Sequence, residues 1–163
     1  MPASPVLRHL REAHCVPALE ATTPEEAIAG VSRAFVASKA IGEAARKALV
    51  KNVLEREAKA TTGIGNGIAL PHPTAPEDVK GCVKDVLVGV GVSPGGIPFH
   101  AVDGAPVHAV FLVAAPTAEQ YLAVARLVAG LARDRNWPRL LRKCATAREI
   151  HELVEEAWQG ARG

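Results

Sequence analysis

Aromatic side chains are scarce in this chain: three Phe, two Trp and one Tyr make up 4% of its 163 residues. A core must therefore be filled by Ala, Val, Leu and Ile, which suits helices packed closely on a sheet. Three cysteines, Cys15, Cys82 and Cys144, leave one over in any disulfide scheme and match neither a zinc nor a thioredoxin-like spacing. They are expected to be buried or half-buried small hydrophobes in a reducing compartment. Net charge is also lacking, at +2 from 19 Lys and Arg against 17 Asp and Glu. That balance gives no basic footprint for nucleic acid. The densest cationic stretch, Arg133, Arg135, Arg139, Arg142 and Lys143, is interrupted by Trp137, Leu140 and Leu141 and reads as a solvated helix face. No run approaches the ~20 apolar residues of a membrane span, and the opening Met-Pro-Ala-Ser-Pro-Val-Leu-Arg lacks the regions of a secretory signal. A cytoplasmic location and no membrane insertion are expected.

What is present is an ordinary globular composition, 48% hydrophobic and 22% charged, of a length suited to one domain spanning 1–163. Residues 1–13 are expected to be a loose lead-in or a short helix, and 14–21 a brief extended segment. Thr23-Pro24-Glu25-Glu26 is a strong helix start, with Thr as cap, Pro at the first position and Glu26 placed to reach back. A second helix opens at Gly42 and ends near Ala60. Ile41, Ala44, Ala45, Ala48, Leu49 and Val53 form its apolar stripe, and Glu43 with Lys47 an exposed pair. Short and long strands are predicted at 67–70 and 83–92. His108 to Ala114 is an uninterrupted apolar run, the mark of a strand covered on both faces. Ser93 to Pro106 is rich in Gly and Pro and contains an Asp103-Gly104 turn. Three helices follow, opened by Pro116-Thr117, by Asn136-Trp137-Pro138 and by Thr146 with Glu149. The order strand, two helices, three strands, three helices predicts an α/β fold: a three-layer α/β/α sandwich around a mixed sheet.

The segment Thr62-Gly63-Ile64-Gly65-Asn66-Gly67-Ile68-Ala69-Leu70-Pro71-His72 departs most from what packing would select. Its alternate glycines suit a tight turn or a close ligand approach, and successive amides in such a turn can hold an oxyanion. Gly63, Gly65, Asn66 and Gly67 are therefore candidate phosphate-binding residues. Pro71 and Pro73 flank His72 and fix the backbone on both sides of a good nucleophile, although a lone His ending a strand equally suits a local hydrogen bond. No dinucleotide fingerprint and no Walker lysine is present, so no cofactor is called for. No metal is assigned to His72, His100 and His108, whose spacing is not that of a ligand set.

These residues, with Arg56-Glu57, Ile97-Pro98-Phe99, Val102-Asp103-Gly104 and Pro106-Val107, resemble enzyme IIA of the bacterial phosphotransferase system. The fructose, mannitol and nitrogen-regulatory class is the nearest, in the same order of elements from about Val16 to Trp158. The resemblance implies a transferase component whose acceptor is His72, with Arg56 facing the phosphate. The donor it implies is the phosphocarrier protein HPr or its nitrogen-branch counterpart. The outlet is a IIB domain in sugar uptake or a regulated protein target. A second histidine is usual early in the third helix; here Tyr121 stands there and would orient the phosphate as a neutral phenol. Pro73 replaces the usual glycine after the acceptor and removes an N–H. His100 and His108 occupy usually acidic positions. The absence of fused IIB or IIC sequence and the Gly-Ile-Gly-Asn-Gly segment point to the nitrogen-regulatory branch; the alternative is a regulatory binding module that keeps the fold without transferring phosphate.

Overall fold

The computed structural model describes residues 7–79 and 81–160. A 3-10 turn at Leu7–His9 leads into β1 (Leu10–Val16), followed by α1 (Pro24–Ala37) and α2 (Glu43–Lys59). Four strands come next: β2 (Gly63–Gly65), β3 (Ile68–Ala69), β4 (Leu87–Ile97) and β5 (Val107–Ala114). The chain then continues through α3 (Ala118–Ala132), α4 (Asn136–Arg142) and α5 (Ala147–Gly160). The sheet order is β1-β4-β5-β3-β2. β1 is parallel to β4 and β3 to β5, whereas β4–β5 and β2–β3 are antiparallel. The mixed sheet of the α/β prediction is thus present. Among the described residues no helix is long and apolar enough to cross a membrane.

Two apolar clusters sandwich the sheet. Strand β5 sends Phe111 and Val113 to the side of α3, α4 and α5, and Val110 and Leu112 to the side of α1 and α2. That division explains its unbroken apolar run, since both of its faces are covered. β4 divides likewise, with Val88, Val90 and Val92 facing Val154 and Trp158. On its other face Gly89 and Gly91 admit α1: a Cβ at Gly89 would lie 2.6 Å from Val31 and 3.1 Å from Phe35. Trp158, fully buried, stacks obliquely near Phe111 at 6.5 Å between ring centres.

The predicted caps form. Thr23 accepts from Glu26 N–H at 3.1 Å, Thr117 from Gln120 at 3.2 Å and Thr146 from Glu149 at 3.1 Å. Several expectations are corrected. Residues 10–13 belong to β1, hidden in the sequence because the register jumps between Leu10 and Cys15 and exposes Arg11, Glu12 and Ala13. β4 starts at Leu87 and runs through the Gly/Pro-rich stretch to Ile97. A register shift after Val92, Gly96 at φ 86° and an outward-facing Pro94 make that pairing possible. Glu43 pairs with Arg46, 3.0 Å from Nε to Oε2, instead of Lys47; the same guanidinium reaches Ser32 of α1 at 3.2 Å. Of the apolar stripe named for α2, only Leu49 and Val53 are buried within the helix. The middle of the chain holds four strands instead of three, because Gly63–Gly65 is itself a strand.

His14, only 1% exposed, lies edge-on to Phe35 at 4.9 Å with Nε2 2.8 Å from Ser38 Oγ. The Ser38 hydroxyl donates to the Phe35 carbonyl at 3.1 Å, so the imidazole donates from Nε2, and Nδ1 has no partner among the described residues. Burial, reinforced by nearby Arg11, pushes its pKa from 6.5 to about 4. Between those values the unfolded chain binds the extra proton. The stabilisation is complete above pH 6.5 and is lost as pH falls through about 4, by at most about 3 kcal/mol. The urea midpoint should fall over this window, and His14→Gln, which keeps a donor for Ser38 without the titration, should flatten the fall. An unchanged slope would refute the assignment.

Candidate functional site

β3 delivers its chain end to the site. Gly67 accepts from His108 and Ala109 at the start of β5, and Pro71 accepts from Val113 near its end at 3.1 Å. The backbone thus runs alongside β5 until Pro71 turns it out at the sheet's edge with His72. The imidazole is half-buried and its Nδ1 lies 2.8 Å from the Leu70 carbonyl. A carbonyl only accepts, so Nδ1 carries the hydrogen and Nε2 holds the free lone pair. Tyr121, on the first turn of α3, packs against this ring with centres 4.6 Å apart and planes tilted by 34°. A pocket of about 190 Å³ opens here, walled by Pro73, Thr74, Ala115, Ala118, Tyr121 and Leu122.

The electrostatics favour a neutral acceptor. Burial lowers the His72 pKa below 6.5, opposed by the Leu70 hydrogen bond and assisted by the Arg56 charge. Burial raises the Tyr121 pKa above 10, with Arg56 pulling the other way. Arg56, on the last turn of α2, is therefore close enough for its field to reach both rings. Its Nη1 donates to the Ala60 carbonyl at 2.9 Å, which steadies the guanidinium at the helix end. Glu57 beside it accepts from the Thr62 amide at 2.8 Å and from the Thr62 hydroxyl. That contact binds the end of α2 to the strand leading back to His72.

His72 and Tyr121, far apart in sequence, are brought into contact, and the Arg56 charge acts on both rings. Gly63 lies opposite Ala69, and the turn of the glycine segment is set apart from them. Gly65, Asn66 and Gly67 form the hairpin turn between β2 and β3, with φ of 106°, 53° and 77°. This turn sits beside His108, whereas Pro71 sits beside Val113; five residues of strand separate the two ends by roughly 16 Å. The Asn66 amide donates to Asp103 at 3.0 Å and that of Gly63 to Thr61 at 3.0 Å. The Asn66 side chain donates to the Ala132 carbonyl. A Cβ at Gly63 would lie 2.7 Å from Ala101. Close packing at Gly63 and a positive-φ hairpin at Gly65, Asn66 and Gly67 engage the residues named as phosphate-binding candidates. His108 lies at the same far end, its Nδ1 2.8 Å from the Ser93 carbonyl. His100 is exposed at φ 54°. Sequence reasoning missed Asn52 of α2, which accepts from the Thr74 amide at 2.9 Å just after the acceptor. A polar residue one turn before Arg56 was the only available signal.

A family model described as "Phosphoenolpyruvate-dependent sugar phosphotransferase system, EIIA 2" matches residues 8–157, and the chain belongs to that family. It is 30% identical over 114 residues to a nitrogen regulatory protein of Pseudomonas aeruginosa, covering 69% of this chain and 71% of the relative. It is 37% identical over 107 residues to a nitrogen regulatory protein of Klebsiella oxytoca, covering 64% of each. The fold is that of enzyme IIAMTL of Escherichia coli, solved in complex with phosphorylated enzyme IIBMTL. That likeness has a TM-score of 0.75 at 23% identity over 90% of this chain and 97% of the other.

Proposed function

We propose that this domain is a histidine phosphocarrier of the nitrogen-regulatory type, acting in the cytoplasm and taking its phosphoryl group on His72 Nε2 from an HPr-like donor. The observation that carries this reading is the bond from His72 Nδ1–H to the Leu70 carbonyl. It selects the tautomer whose Nε2 lone pair is free to attack. As Nε2 bonds to phosphorus, the phosphorus–nitrogen bond of the donor phosphohistidine breaks, and its electron pair returns to the donor imidazole. Nδ1 keeps its hydrogen, and the Leu70 carbonyl stabilises the charge that develops on the ring. Arg56 supplies positive charge towards the phosphoryl oxygens, and Tyr121, held neutral by burial, orients them by donating a hydrogen bond. The phosphoryl group then passes to a IIB domain or sets the state of a regulated protein.

Incubation with a phosphorylated HPr-type carrier should add one acid-labile phosphate per chain, detected by intact mass and lost on brief acid treatment. A chain that takes up none would rule the proposal out. One observation favours a second reading, a binding module without fast transfer: the backbone after His72 offers no amide to a phosphate, since Pro73 has none and that of Thr74 is engaged. A Tyr121→His variant separates the two. A large rise in transfer rate would mark the wild-type site as impaired; an unchanged rate supports the phosphocarrier.

A further inference from the structure

Asn52 lies one helical turn before Arg56 on α2, so the two side chains leave the same face of the helix. Its Oδ1 accepts from the backbone N–H of Thr74 at 2.9 Å. The oxygen of the amide must be the atom facing Thr74, because a backbone N–H only donates. Pro73 has no N–H, so the first donor after the acceptor histidine is the one that Asn52 holds. The other side of His72 is anchored independently, by Val113 N–H on the Pro71 carbonyl at 3.1 Å. The acceptor is thus tied to the sheet before it and to α2 after it, and α2 is the helix that carries Arg56.

We propose that Asn52 is a positioning residue for the reaction at His72: by holding Thr74 against α2, it fixes Nε2 relative to the Arg56 guanidinium. This deepens the phosphocarrier reading and rests on it. Pro73 stiffens one bond of the loop but leaves its exit free to swing, because ψ of proline and both dihedrals of Thr74 remain soft. The hydrogen bond from Thr74 to Asn52 removes that freedom, and phosphoryl transfer is sensitive to small errors in placement.

The test uses the wild-type chain, Asn52→Ala and Asn52→Asp, the last of which keeps an oxygen acceptor for Thr74. Amide hydrogen exchange at Thr74, followed by NMR, reports the tie itself. Single-turnover transfer from a phosphorylated HPr-type carrier, measured over a range of carrier concentrations in enough salt to screen the added carboxylate, reports its consequence. Asn52→Ala should speed Thr74 exchange on the order of tenfold and lower the limiting transfer rate on the order of tenfold. The carrier concentration at half-maximal rate should not change. Asn52→Asp should restore exchange protection and bring the limiting rate to within about threefold of wild type. An Asn52→Ala chain that transfers at the wild-type rate overturns the inference, as does an equal loss of rate in both variants. Those outcomes are distinct from failure of the phosphocarrier reading, in which the wild-type chain itself accepts no phosphate.

Discussion

Substitution of His72 by alanine is expected to abolish phosphoryl uptake, lowering the transfer rate by roughly three orders of magnitude or more. The size of the effect follows from the composition of the pocket. Its other lining residues are Pro73, Thr74, Pro76, Ala115, Ala118, Tyr121 and Leu122, and among the described residues none offers a nucleophile comparable to a neutral imidazole. The Tyr121 phenol is held further from ionisation by burial, and the Thr74 hydroxyl has no neighbouring base in the pocket. Uptake measured by mass and by radiolabel transfer should vanish while the far-UV circular dichroism stays that of wild type. Retained uptake would place the acceptor elsewhere. A pH dependence accompanies the same site. Because burial holds the His72 pKa below 6.5, more of it is in the nucleophilic neutral form at a given acid pH than of an ordinary histidine. The acid limb of the uptake rate should therefore have its midpoint below pH 6.5.

Replacing Trp158 by alanine is expected to destabilise the fold by about 3–5 kcal/mol. The indole is fully buried in the cluster that joins α5 to the sheet, and it neighbours Phe111 on the central strand β5. α5 has a second tie to the sheet, His151 Nε2 donating to the Leu10 carbonyl at 3.1 Å, so the helix is fastened at two places along β1 and β5. A core built with few aromatics has little to fill the space that the indole would vacate. For a chain of this length the loss corresponds to a fall in Tm of roughly 6–20 °C. Calorimetry that finds a fall of less than about 3 °C would show that α5 is not integral to the core.

Much of this architecture was legible in the sequence, for reasons that differ between elements. The helix starts were legible because a capping threonine with an acceptor or donor three residues on is a local signal, and Thr23, Thr117 and Thr146 each make that bond. The central strand was legible because two covered faces demand an unbroken apolar run. β1 and the second half of β4 were not, since their pairing depends on irregularities in register that only the neighbouring strand specifies. Within the site, His72 stood out through its flanking prolines and the motif that ends on it. The position of Tyr121 rested on likeness to the enzyme IIA family, and the structure sets its ring against His72. The glycines were ambiguous for a physical reason: positive φ serves a hairpin as well as an anion nest, and here Gly65 and Gly67 turn β2 into β3. Asn52 left only a faint signal, a polar residue one turn before Arg56, because its partner is a backbone amide on a distant loop.

The central claim, that His72 presents Nε2 as the acceptor, is tested most directly by NMR of the phosphorylated chain labelled with ¹⁵N in histidine. Phosphorus–nitrogen coupling should appear on one imidazole only, at Nε2 of His72, with the Nδ1 proton still bonded to the Leu70 carbonyl. Coupling to Nδ1, or to a histidine other than His72, would contradict it.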